Sequence, residues 1–126
     1  MALLDDVAAW IAANLTLTGY AVHKGGLPSR AGNALGILSA GGEMPETSMA
    51  LERPDFTVLV RGPRDDYQAT QVIAQRVYQG LHACDLGAGY VYCYAKHSPM
   101  YLGFDPDDCP TFSINFRTLR APEATS

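Results

Sequence analysis

RPDFTVLVRGPRDDYQATQVIAQRVYQGLH, Arg53 to His82, holds the two halves of the fold side by side. Phe56, Val58 and Val60 alternate with Thr57, Leu59 and Arg61, the two-residue period of a strand. Gly62 and Pro63 end that strand. From Asp65 onward the period changes. Ala69, Val72, Ile73, Val77, Gly80 and Leu81 fall on one helical stripe, while Gln71, Gln75, Arg76 and Gln79 lie largely elsewhere. Asp65, with Gln68 three residues on, has the form of a capping box at the helix start. A strand followed at once by a long amphipathic helix requires a sheet and a helical layer.

The flanks extend the same pattern. At the N-terminus Leu4, Val7, Ala8, Ile11 and Leu15 predict an amphipathic helix, with Asp5 and Asp6 at its dipole-favoured end and Gly19 as its stop. Tyr20 to His23 reads as a short strand, Lys24 to Asn33 as a glycine-rich loop, and Leu35 to Ala40 as a strand. Gly41 to Pro54 is a long, mostly polar stretch, beyond the usual connection of about 4–6 residues. Met44, Met49 and Leu51 make it more apolar than a solvated loop, which suits an extended hairpin arm with Ser48 to Leu51 as its far side. Downstream, Tyr90 to His97, Tyr101 to Phe104 and Pro110 to Leu119 read as strands. In the first of these, Tyr90, Tyr92 and Tyr94 are expected on one face and Val91, Cys93 and Ala95 on the other. Helix, strands, helix, strands, with hairpin-length links, predict a two-layer α+β fold: an antiparallel or mixed β-sheet with both helices packed on one face. Residues 1–120 form one expected domain and 121–126 a frayed tail.

Composition narrows the function. With 126 residues and 48% apolar content the chain can build a core. Nine Lys and Arg against 13 Asp and Glu give a net charge of −4, which argues against a protein that grips nucleic-acid backbone. Charged residues reach only 17%, against roughly 25% in soluble domains. Either the surface is rich in small polar residues, or much of it is hidden in an oligomer. No apolar stretch approaches the about 18 residues of a membrane span, and the N-terminus lacks the features of a signal peptide. Three cysteines, Cys84, Cys93 and Cys109, without framework spacing suggest thiols kept reduced in a cytosol.

Reactive constellations are few, and each has a plain structural explanation. His82, Cys84, Cys93 and His97 cluster in sequence, but Cys93 and His97 on one extended strand would lie about 13 Å apart at about 3.3 Å per residue, too far to share a zinc. Cys109 follows the acidic turn Asp105, Asp107, Asp108, and Cys84 sits near the negative end of a helix dipole; both settings disfavour a thiolate, so the thiols read as structural. There is no G-x-S-x-G, and the loop GGLPSRAG, Gly25 to Gly32, lacks the Lys-Ser/Thr of a P-loop. The carboxylate pairs Asp65–Asp66 and Asp107–Asp108 are explained by capping and turn formation. No catalytic residue, cofactor site or metal site is assigned. Surface remains: tyrosine serves core packing and interfaces alike.

The ordered set resembles the small minor capsid or tail terminator proteins of long-tailed bacteriophages. The resemblance is carried by LLDDVAAWIAANL at the start, RPDFTVLVRG over Arg53 to Gly62, DDYQATQVIAQRVYQGLH over Asp65 to His82, and SPMYLGFDPDDCPTFSINFRT over Ser98 to Thr118. Where that family often has an Arg after the acidic turn, this chain has Cys109 and Pro110. The resemblance implies a tail-terminator-like fold and no enzymatic activity. It further implies a virion protein, assembled in the host cytoplasm, whose copies form a ring, commonly a hexamer. Such a ring caps the tail tube protein and joins the tail to the head–tail connector or a head-completion protein. DNA would pass through its lumen without specific binding, and an acidic ring would keep the genome from adhering to the wall. The contact elements expected are the arm with Met44, Met49 and Leu51, the face of Tyr90, Tyr92 and Tyr94, and the turn Asp105, Asp107 and Asp108. Arg61 and Arg117 are expected as ionic partners for acidic residues across the ring. The alternatives are another neck or head-completion protein or, from a different class, a small ligand-binding protein or enzyme with a pocket near Cys93 and His97.

Overall fold

The computed structural model describes residues 3–17, 19–27, 33–46, 51–87, 90–106 and 108–120, with backbone alone for 40–46, 51 and 52. The tail expected at 121–126 lies outside the described residues. The elements are α1 (Leu3–Asn14), β1 (Ala21–Lys24), β2 (Ala34–Glu46), β3 (Leu51–Arg61), α2 (Tyr67–Leu81), β4 (Tyr90–Ala95), β5 (Met100–Phe104) and β6 (Pro110–Arg120). They form a six-stranded sheet in the order β1-β2-β3-β6-β4, with β5 also pairing to β6. The fold is α+β with a mixed sheet.

Period-two patterning sets the central register. Val58 lies between Ile37 and Ile114, Val60 between Leu35 and Phe112, and Phe56 opposite Phe116. These side chains share the face that receives Leu3, Val7 and Ile11 of α1 and Ala74, Val77 and Leu81 of α2. Phe56 and Phe116 stack at 5.0 Å across the strand pair. Burying side chains of this size contributes roughly 1.5–3 kcal/mol each.

The α2 stripe is rotated from its sequence-based placement. Val72 is 58% exposed, whereas Thr70 is fully buried. The rotation follows from the strand-to-helix junction. A Cβ on Gly62 would fall 1.7 Å from Thr70 Oγ1, so only glycine lets the end of β3 approach α2 this closely. Thr70 tolerates burial because its hydroxyl donates to the Asp66 carbonyl at 2.9 Å. The helix is capped by Asp66 rather than Asp65; the Asp66 carboxylate accepts from the Ala69 amide at 3.1 Å.

β1 runs parallel to β2, in register Ala21↔Ala34 to Lys24↔Ile37, which makes the sheet mixed. Just after β1, Gly25 and Gly26 lie against β2. The Gly25 amide donates to the Ile37 carbonyl at 2.8 Å, and a Cβ on Gly36 would meet Gly26 backbone at 2.8 Å. The stretch expected as a loop or arm from Gly41 to Pro54 is largely strand. β2 and β3 pair out to Glu46↔Leu51, with register shifts between Ser39/Gly42 and Glu43/Glu46. β6 accompanies β3 as far as Glu52↔Arg120. Most of the expected arm is therefore an extension of the sheet; its positions 47–50 lie outside the described residues.

Candidate functional site

β6 is long enough to hold two strands on one edge: β4 against its C-terminal half and β5 against its N-terminal half. The interruption between them is bridged by a side chain. The Lys96 amide donates to the Asn115 carbonyl at 2.8 Å, and the Asn115 amide donates to His97 Nε2 at 3.2 Å. His97 Nδ1 lies 2.6 Å from the Ser98 carbonyl oxygen, a contact that places the ring proton on Nδ1 and leaves Nε2 as acceptor.

The outer edges of β4 and β5 differ. The turn after α2 covers β4: the Ala83 amide donates to the Cys93 carbonyl at 2.7 Å, and the Ala95 amide donates to His82 Nδ1 at 3.0 Å. Among the described residues no strand pairs with the outer edge of β5. That edge is apolar, with Met100, Tyr101, Leu102 and Phe104 all exposed. Tyr67, at the start of α2, meets Tyr101 edge-on at 4.9 Å and Phe112 at 5.4 Å, so the edge is anchored to an aromatic cluster. An open apolar strand edge is an association surface unless something covers it. The sequence reading places a strand here but does not single out its edge. The available signal is the unbroken run MYLGF, which is apolar on both faces instead of alternating.

The acidic turn is internally braced. The Asp105 amide donates to the Cys109 carbonyl at 3.0 Å, and the Asp108 amide donates to the Asp105 carbonyl at 2.9 Å. Asp105 Oδ1 accepts from the Cys109 amide at 2.9 Å, and Oδ2 lies 3.9 Å from Arg61 Nη1. Arg61 is buried. Asp108 has φ 61°, and its carbonyl accepts from the Asp65 amide at 2.8 Å, tying the turn to the start of α2. Asp107 lies outside the described residues.

On the sheet face opposite the helices, Arg117 grips Asp55 with two bonds, Nε to Oδ1 at 2.9 Å and Nη2 to Oδ2 at 3.0 Å. Lys96 Nζ reaches Asp55 Oδ2 at 3.2 Å. Next to this group Thr57 Oγ1 donates to Asn115 Oδ1 at 2.6 Å. Asp55 is 4% exposed, and the Arg117 hydrogen bonds hold its carboxyl below the usual carboxylate value of 3.8 against the opposing effect of burial. Arg61 and Arg117, expected to reach across a ring, thus have their charges met within the subunit, by Asp105 and Asp55.

The three tyrosines do not share a face. A register shift between Tyr90 and Tyr92 sends them to opposite sides. Tyr92 and Tyr94 pair at 5.2 Å, with Tyr94 opposite Arg117. Tyr90 turns to the helical layer, donates its hydroxyl proton to Asp6 Oδ2 at 2.7 Å, and lies under Arg120, whose Cζ is 5.9 Å from the ring centroid. Met44 lies in the outer half of β2 and Leu51 opens β3, while Met49 falls outside the described residues.

Among the described residues no group of three or more His, Cys, Asp or Glu could hold a metal ion, and no helix is long and apolar enough to cross a membrane. Cys93 is buried in the helix-side core, whereas His97 completes the ladder to β6.

A two-layer core, a polar face braced by Arg117, Asp55 and Lys96, and an exposed apolar β5 edge define a small α+β protein. The chain belongs to the bacteriophage tail terminator family, whose model matches residues 11–121. Proteins of this family are structural components of the virion tail. No curated protein matches the chain.

Proposed function

We propose that copies of this chain, each a single α+β domain over residues 1–120, close into a ring, commonly a hexamer in such proteins, that caps the completed tail tube and joins it to the head–tail connector. Assembly takes place in the host cytoplasm, and DNA passes through the lumen without specific binding. The observation that carries this is the open β5 edge. Met100, Leu102 and Phe104 face solvent on a strand whose outer side has no strand partner among the described residues, a liability that a subunit contact removes. In a heterologous ring this edge meets a different surface of the next copy, and closure fixes the subunit number. The outer parts of β2 and β3, with Met44 and Leu51, then Met49 between them in sequence, the Tyr92/Tyr94 pair and the acidic turn Asp105–Asp108 supply further contacts to neighbours, tube or connector.

Leu102→Glu places a charge on the exposed edge without touching the core. The variant should melt within about 0.5 kcal/mol of wild type, as surface substitutions do. It should sediment as a monomer under conditions in which wild type forms rings. Particles assembled with it should carry over-long tails or tails detached from heads. Rings of wild-type size, with normal-length tails joined to heads in electron micrographs, would sink the proposal.

A further inference from the structure

Two cysteines far from the open edge form a second chemical feature. Cys84, in the turn after α2, and Cys93, on β4, are brought side by side by the Ala83-to-Cys93 backbone bond of 2.7 Å, and Cys84 packs against the core cluster that contains Cys93. They differ in access. Cys93 is 1% exposed, while Cys84 is half-buried and borders a cavity of ≈ 300 Å³ also lined by Asp85, Leu86, Tyr90, Val91 and Tyr92. They differ in acidity as well. The neighbouring Cys93 lowers the Cys84 thiol, outweighing burial, and that same pairing together with burial pushes Cys93 up. An accessible, activated thiol thus has a second thiol directly behind it. Ala83, just before Cys84, is in the left-handed region at φ 63°, so the turn is held in place by its contacts with β4 rather than by local preference.

We infer that Cys84 and Cys93 form a thiol–disulfide exchange site, in which Cys84 attacks a small disulfide oxidant entering the cavity and Cys93 resolves the product into an intrachain bridge. In the first step the Cys84 thiolate bonds to one sulfur of the oxidant and expels the other as a thiolate. In the second step the Cys93 thiol attacks Cys84 Sγ and passes its proton to the departing sulfur, which leaves as the second thiol. The protein gives up two electrons and two protons, and the oxidant leaves as two thiols. The bridge brings the sulfurs to about 2.05 Å, a shift that the irregular turn after α2 absorbs. In a reducing cytosol the pair stays open; in an oxidising medium it ties the end of α2 to β4. This inference is independent of the ring.

The test treats the full chain with hydroxyethyl disulfide, quenches with an alkylating agent and maps the peptides. The expected product is a Cys84–Cys93 linked peptide with Cys109 still a thiol, and a melting temperature raised by about 5–10 °C for so short a closed loop. In the untreated chain Cys84 should alkylate at least about tenfold faster than Cys109. Cys93→Ser should stop the reaction at a mixed disulfide on Cys84, and Cys84→Ser should leave Cys93 unmodified. A wild-type chain that accumulates a stable mixed disulfide on Cys84, bridges through Cys109, or alkylates Cys84 no faster than Cys109 overturns the proposal. The wild-type product and rates decide the matter even if a variant fails to fold.

Discussion

Asp55→Asn removes one charge from the centre of the Arg117–Asp55–Lys96 group and leaves the shape of the side chain almost unchanged. The carboxylate accepts two bonds from Arg117, at 2.9 and 3.0 Å, and one from Lys96 at 3.2 Å. Asparagine keeps one acceptor and turns a donor toward one of these cations. Full loss of a partner in a buried pair costs about 3–5 kcal/mol, but Arg117 and Lys96 retain 21% and 38% of their side-chain exposure and can recover some hydration. The expected destabilisation is therefore about 2–4 kcal/mol, or about 8–15 °C in melting temperature for a chain of this length. Its pH dependence identifies the cause. The folded protein holds the Asp55 carboxyl below its ordinary value of 3.8. The stabilisation is thus complete above that value and is lost as pH falls through the lower folded value. Urea titrations of wild type and variant from pH 7 down to pH 2 should show a stability gap that is constant at neutral pH and closes in acid. A gap below about 0.5 kcal/mol at pH 7, the size of an ordinary surface substitution, or one that persists unchanged at pH 2, would refute the reasoning.

Two further outcomes follow from the same geometry. Leu81→Ala should cost about 2–5 kcal/mol because the side chain is fully buried, whereas Val72→Ala should stay within about 0.5 kcal/mol because that side chain is mostly in solvent; equal losses in thermal melts would show the helix face to be misplaced. Tyr90 should ionise at about 12 instead of 10.0, chiefly through burial and then through its bond to Asp6. The fold favours its neutral form, so this contribution is intact below pH 10.0 and is lost as pH rises through about 12. Ultraviolet titration should show the late-ionising phenol disappear in Tyr90→Phe, and a variant spectrum identical to wild type would count against the assignment.

The family is recognisable in the amino-acid sequence through the ordered set of its elements rather than through any one of them. Alternation in Phe56 to Arg61 and in Pro110 to Leu119 sets which side chains face the helices, since successive residues on a strand must point to opposite sides. The α1 stripe is similarly legible, with Leu3, Val7 and Ile11 buried at helical spacing. The α2 stripe is legible only in part. Its true centre includes Thr70, a polar residue that no apolar pattern selects and that the close approach of Gly62 places inside.

What the sequence determined by itself was the run of elements, the two-layer class and the main core, because periodicity is a property of neighbours along the chain. The tertiary structure alone decided the rest, because it depends on residues far apart in sequence. The parallel pairing of β1 with β2 fixes a mixed sheet, and a one-residue register shift sends Tyr90 to Asp6 while Tyr92 and Tyr94 stay on the other face. Arg117 is held within the subunit by Asp55, which is 62 residues away in sequence, a pairing that no local pattern shows. Cys84, which the helix dipole alone would keep protonated, is brought beside Cys93 when β4 folds beneath the turn after α2, and its thiol is shifted down. The turn after α2 covers β4, whereas among the described residues no strand covers the outer edge of β5, a difference set by chain path that no local pattern encodes.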